Sequence, residues 1–233
     1  MKKLIVLLLA AAMLLSLAAC AGKQTDKKDT TEAPTTEAPS TEAPSTEAPN
    51  TEAPTDEPSD EPLGYANEDM GVRFDVPTDW VVADEATLAQ LNGATKELFT
   101  DEDIAAQLES SGTAMIFYAQ TEDGMQTLNI TAENLSLLYT LSLDEEGYIE
   151  AALPTLESTL AASGFEDIQI EKSTTTFLGS EHPCISVTVS IQGIPLYETL
   201  VPVKSGSVVY SITAASFQTD NTPDMLARFT ALD

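Results

Sequence analysis

Ile185-Ser186-Val187-Thr188-Val189-Ser190-Ile191 sets a β-branched apolar side chain at every second position, with Ser or Thr between. Successive strand side chains point to opposite faces, so this alternation gives one apolar and one polar face. The same period of two appears on both sides: Ile168 and Ile170 before it, then Leu196 and Leu200, then Val208, Tyr210 and Ile212. Gly179, Gly193 and Gly206 punctuate the runs as turn residues. Turns this short join antiparallel neighbours, so the C-terminal half is predicted to be an antiparallel meander.

Upstream the period lengthens. From Asp144 to Ser163 the residues Tyr148, Ile149, Ala152, Leu153, Leu156 and Leu160 form one helical stripe, and Gly164 is placed to end it. Pro154 inside this pattern should kink or divide the helix. Val72, Phe74 and Val76 alternate with Arg73 and Asp75 as a strand ended by Pro77, and Trp80, Val81 and Val82 continue the apolar line. Asp84 caps a short helix carrying Leu88 and Leu91; Thr100 with Asp103 opens a second holding Ile104 and Leu108. Thr113 to Ala119 is an apolar strand, turned by Glu122, Asp123 and Gly124 into another in which Leu128, Ile130 and Ala132 alternate with polar neighbours. Thr222 is expected to cap a last helix with Pro223 at its first position and Met225, Leu226 and Phe229 on its stripe.

Several of these residues together resemble a known family. The opening Gly71-Val72-Arg73-Phe74-Asp75-Val76-Pro77-Thr78-Asp79-Trp80, the hairpin ending in Leu128-Asn129-Ile130, the helix closed by Gly164-Phe165, and the strands around Gly179, Gly193 and Tyr210 are similar to the PsbP-like (Mog1/PsbP) fold. The resemblance implies an α+β sandwich, an antiparallel sheet packed with helices, over residues 63–233. It also implies a protein that binds or assists others rather than catalysing. It carries no functional residue over to this chain.

Residues before this domain read as an address. Lys2 and Lys3 precede an apolar run from Leu4 to Ala19, shorter than the roughly 20 residues that span a bilayer and ordered like a secretion signal. Its ending, Leu17-Ala18-Ala19-Cys20, resembles the lipobox of bacterial lipoproteins. Residues 1–19 are thus expected to be a signal peptide and Cys20 the lipidated residue, anchoring the chain on the extracytoplasmic face of the cell membrane, at a Gram-positive surface. Between Ala21 and Pro62 there is no Val, Ile, Leu, Phe, Tyr or Trp, and Thr-Glu-Ala-Pro recurs with a variable fifth residue from Thr31 to Thr55. Without apolar surface to offset ordering entropy, residues 20–62 are expected to be a disordered linker. At about 3.1 Å per residue in the polyproline limit it reaches up to ~130 Å. Its Thr and Ser beside Pro also suit O-glycosylation, and an unmodified solvated spacer fits equally.

The net charge is −28, and residues 63–233 carry only Arg73, Lys96, Lys172, Lys204 and Arg228 against 27 acids. Such a surface repels phosphate backbones, and no basic stripe opposes this, so nucleic acid is excluded as a partner. With Cys20 acylated, Cys184 has no partner for a disulfide, and stability rests on packing. One domain of about 170 residues suffices for a substantial core, and a monomer is expected.

Chemical motifs are few. His182 is the single His, and the sequence contains no Gly-x-Ser-x-Gly elbow, phosphate-cradling Gly loop, His-Glu-x-x-His or paired-Cys motif. His182 and Cys184, two apart, share a strand face opposite Ile185 and Val187; a Cys-His dyad or half a metal site competes with a simple structural pair, and Pro183 between them suggests the strand starts there. Asp101-Glu102-Asp103 and Asp144-Glu145-Glu146 lack EF-hand spacing and fit first helical turns, where negative charge complements the helix dipole. Trp80 reads as a core anchor. No catalytic residue, cofactor or metal ligand is assigned.

The resulting expectation is a surface-tethered, non-enzymatic lipoprotein that binds an envelope protein or wall-associated partner. The alternatives are an envelope hydrolase using scattered carboxylates and a small solute-binding lipoprotein. Paired carboxylates in one cleft would favour the hydrolase, and a sizeable exposed apolar patch would favour the partner-binding module.

Overall fold

The computed structural model describes residues 64–93, 104, 106–108, 112–135 and 143–232. The signal peptide, Cys20, the repeat segment, Thr100 and the 101–103 acidic group lie outside the described residues. The first strand, β1 (Gly64–Asn67), pairs with β2 (Val72–Asp75). After Pro77 the chain enters β3 (Trp80–Val82), then α1 (Glu85–Leu91), whose cap Asp84 accepts from the Thr87 amide at 2.8 Å. Ile104 and residues 106–108 are helical. Next come β4 (Thr113–Thr121), β5 (Gln126–Asn134) and α2 (Glu145–Ala162). The meander follows as β6 (Glu166–Phe177), β7 (Ser180–Ile191), β8 (Ile194–Ser205) and β9 (Val208–Phe217), and the chain closes with α3 (Thr222–Leu226) and β10 (Phe229–Ala231).

The strands form two antiparallel sheets, one ordered β1-β2-β10 and the other β3-β4-β5-β9-β8-β7-β6. The predicted meander is the β6 to β9 half of the larger sheet. Two of its turns, Leu178-Gly179 and Gln192-Gly193, hold both central residues at positive φ, the type I′ pattern that matches strand twist. Strand β5 pairs with the distant β9, from Gln126 opposite Ser216 to Asn134 opposite Val208, and so joins the two halves.

Both faces of the large sheet are covered. On one, Ile185, Val187, Val189 and Ile191 pack with Leu196, Leu200 and Phe217 against Ile149, Ala152, Leu156 and Leu160 of α2. On the other, Leu128, Ile130, Ile212 and Phe117 pack with Val72, Phe74 and Phe229 of the small sheet and with Met225 and Leu226 of α3. This is the expected α+β arrangement of antiparallel sheet and helices.

The structure corrects several local expectations. Pro154 does not divide α2, which runs unbroken; the proline is on the exposed side, where the carbonyl it frees can meet water. Thr222 is not a cap: Asn221 holds that position, and the buried Thr222 hydroxyl meets Asp220 Oδ1 at 2.7 Å and Thr199 Oγ1 at 2.8 Å. Phe229 belongs to β10 rather than to the last helix. Strand β7 starts at Ser180, so Pro183 lies within it, opposite Thr174 of β6 and before the pairing with β8 begins at Ile185. Trp80 and Val82 form a strand of the other sheet instead of prolonging β2. Finally, Thr127, Asn129, Thr131 and Glu133, which alternation along β5 would turn to solvent, are buried. The face they share is the one α2 covers farther along the sheet, so the alternation on β5 separates two interiors.

Candidate binding cleft

A turn and a row of small residues make the cleft. At the end of β1 the Asn67 carboxamide accepts from the Met70 amide at 2.9 Å, and Gly71 closes the turn at φ +65°. That φ is open to Gly at little cost. Between these two positions Glu68 and Asp69 project at the rim. On the sheet below, Ala114 lies opposite Ala132 and Ala132 opposite Tyr210. The Ala132 methyl leaves space beside Tyr210, and a cleft of about 510 Å³ opens between Tyr65, Asn67, Glu68, Asp69 and Tyr210, with Ile104, Leu108, Ile116 and Ala132 as apolar lining.

Hydrogen bonds order the polar side. The Tyr210 hydroxyl donates to Asp69 Oδ2 at 3.2 Å, and the Asn67 amide donates to the Tyr65 hydroxyl at 3.1 Å. The Tyr65 ring is set by Phe117, with centroids 4.4 Å apart. Burial first, then the neighbouring Asp69 charge and its hydrogen bond, push the Tyr210 phenol up to about 12, so it stays a neutral donor. Among the described residues that line it, the cleft holds two carboxylates and no basic side chain. It can take a cationic head group against Glu68 and Asp69 while an apolar stem lies on Ile116 and Leu108. A smaller groove of about 350 Å³ lies between Glu157 on α2 and Ile168 to Glu171 on β6.

The residues singled out from sequence fall elsewhere. His182 and Cys184 share a face of β7, as expected, but each is engaged separately. The His182 ring packs edge-on to Phe177 with centroids 5.4 Å apart, and its Nδ1 stands 3.8 Å from Glu145 Oε2. Cys184 is a free, buried thiol in the core beneath the small sheet, raised in pKa by burial and opposed by hydrogen bonds with Ser186 and Ser173. Asp144 caps α2 through the Gly147 amide at 2.8 Å, Glu145 accepts from the Lys204 amide, and Glu146 pairs with Lys172. Trp80 is buried beside Phe74, as a core anchor would be. Among the described residues no group of three or more His, Cys, Asp or Glu is placed to hold a metal ion, and no helix is long and apolar enough to cross a membrane.

Of the two discriminating features, one is present. Glu68 and Asp69 do share a cleft. The exposed large hydrophobics among the described residues, Val81 and Ile194, sit on separate strands and form no patch. Sequence reading missed Tyr65, Asp69 and Tyr210 because Asp69 and Tyr210 lie 141 positions apart and meet only where the β1–β2 turn of the small sheet packs over β9 of the large one.

No family model and no curated protein matches the chain. Among solved structures, it is similar to PsbP (CyanoP) from the cyanobacterium Synechocystis sp. PCC 6803, at 12% identity and TM-score 0.42, covering 72% of this chain and 91% of that one. It is similar also to LpqN, involved in cell envelope biogenesis of Mycobacterium tuberculosis, at 12% identity and TM-score 0.35, over 74% and 86%. A third similar structure, from Bacteroides thetaiotaomicron VPI-5482, has 9% identity and TM-score 0.39; the match spans 72% of this chain and just under half, 47%, of that one.

Proposed function

We propose that this chain is an accessory binding module of the bacterial cell envelope, exported by residues 1–19, anchored through lipid on Cys20 and held clear of the membrane by the repeat segment. The observation that carries the reading is the cleft between Tyr65 and Tyr210, whose carboxylates, phenols and apolar lining suit a basic side chain of an envelope protein. Aromatic faces and carboxylates both attract a cation, and an acidic surface raises the local concentration of basic partners.

Crosslinking and pull-down on intact cells test this. The wild type is expected to capture a partner that the double variant Asp69→Asn, Tyr210→Phe does not, with both equally anchored, while Cys20→Ala is released or left unprocessed. Equal capture by the cleft variant would sink the assignment of the cleft, and membrane retention of a processed Cys20→Ala would sink the anchor.

The pair of carboxylates favours one second reading, a hydrolase using Glu68 and Asp69. A Glu68→Gln variant that still captures the partner but loses turnover of an envelope polymer would support it.

A further inference from the structure

The α2-covered face of the large sheet carries buried polar groups that no described residue satisfies. Thr127 lies opposite Ala215, and Ala215 opposite Glu198, so one row across β5, β9 and β8 reads Thr127, Ala215, Glu198. Asn129 is one step along β5 on the same face. Neighbouring strands lie about 4.8 Å apart, which puts the Thr127 and Glu198 backbones about 10 Å apart with only a methyl group between. Thr127 and Asn129 are 1% exposed and Glu198 2%, yet among the described residues Thr127 Oγ1, both polar side-chain atoms of Asn129 and both carboxyl oxygens of Glu198 find no hydrogen-bond partner. Buried polar groups are almost always satisfied, by protein or by a bound molecule, because water lost without replacement is costly. Five orphaned atoms on one patch therefore call for an occupant.

We propose that this row is an internal site for a small uncharged hydroxylic molecule, which bridges Glu198 to Thr127 and Asn129 over Ala215. The donor set selects that chemistry. A hydroxyl, a carboxamide and a carboxylic acid each donate and accept, and burial pushes Glu198 up to about 8, so at neutral pH it is the acid form. An anion finds no basic group in the row, and a cation finds no formal negative charge. Val187, Leu196 and Leu200 flank Glu198 with apolar side chains, and the polar groups of this face lie towards β9 and β5, over Ala215 and beside Thr213. Water, which needs two to four polar partners when buried, and short polyols share this chemistry.

Nuclear magnetic resonance on the full chain distinguishes the two sources. The Asn129 side-chain amide is expected either to cross-relax with a long-resident water or to shift saturably on titration with glycerol, while the exposed Asn134 amide responds linearly. The response should vanish in Thr127→Val with Glu198→Leu and persist in Thr127→Ser, which keeps the hydroxyl and serves if the double variant fails to fold. An Asn129 amide protected from exchange that shows neither water cross-relaxation nor glycerol saturation would overturn the proposal. So would a response lost equally in Thr127→Ser.

Discussion

The Tyr148 hydroxyl donates to Glu133 Oε2 at 2.9 Å and stands 3.2 Å from Ser211 Oγ, tying α2 to β5 and β9 at a single buried point. Burial raises the pKa of the Glu133 carboxyl, and the Tyr148 hydrogen bond opposes that rise. Tyr148→Phe leaves the carboxyl buried with one donor fewer. We expect a loss of about 1–3 kcal/mol in urea titrations, larger at pH 8 than at pH 5 because the ionised carboxylate is the form that needs the donor. A loss that does not vary with pH would show that the bond acts through the helix rather than the carboxyl.

Glu198 gives the protein a slope of stability with pH. Its folded pKa, about 8, lies above the unfolded value of 4.5, so the folded state holds the proton more tightly. Its stabilising contribution is complete below pH 4.5 and is lost as pH rises through about 8. The change is on the order of 4 kcal/mol across that window. Denaturation at pH 5, 7 and 9 should show the decline in the wild type and a flatter profile in Glu198→Gln; parallel profiles would place the ionisation elsewhere.

Trp80→Ala should destabilise by roughly 3–5 kcal/mol, since a buried aromatic is lost from the cluster with Phe74. Thermal unfolding by circular dichroism measures this. A change under about 1 kcal/mol would mean that the site collapses around the gap.

At Gln192 the backbone is at φ +54°, in a type I′ turn completed by Gly193. Asn tolerates this region better than Gln and is the usual partner of Gly in such turns. Gln192→Asn is expected to raise stability by about 0.5 kcal/mol, in keeping with substitutions that fit the native backbone conformation, and a measurable decrease would contradict the turn assignment.

Cys184 should resist thiol reagents in the native protein, because its sulfur is buried and burial disfavours the thiolate. In the Cys20→Ala background, labelling at pH 8 should proceed only at the rate of unfolding. Rapid labelling of the folded chain would show that the β7 core opens locally.

Local order was legible in the sequence wherever one period held for a full element. The meander could be read from Ile185 to Ile191 with its Gly turns, and α2 from its stripe and from Asp144 and Gly164. Short elements were not legible: Gly64–Asn67 and Phe229–Ala231 are strands only because β2 lies between them. Alternation also misleads when both faces are covered. Asn129 and Glu198 read as outward residues of amphipathic strands, yet tertiary cover buries them, and no local signal records what lies above a sheet. The cleft failed for a related reason, since Ala114, Ala132 and Tyr210 align only through register between distant strands.

The β5 to β9 seam bears on how the chain reaches this state. The strands from β6 to β9 meet through two-residue turns, so their pairing closes short loops and can proceed quickly, whereas joining Asn134 to Val208 must wait for the ends of a long intervening stretch to meet. The seam is therefore expected to form in the rate-limiting step. Ile130→Val and Ile212→Val should slow refolding, while truncations in α2 such as Leu156→Ala should mainly speed unfolding. That interval is when the strand edges of the chain are most open to proteases and to neighbouring chains.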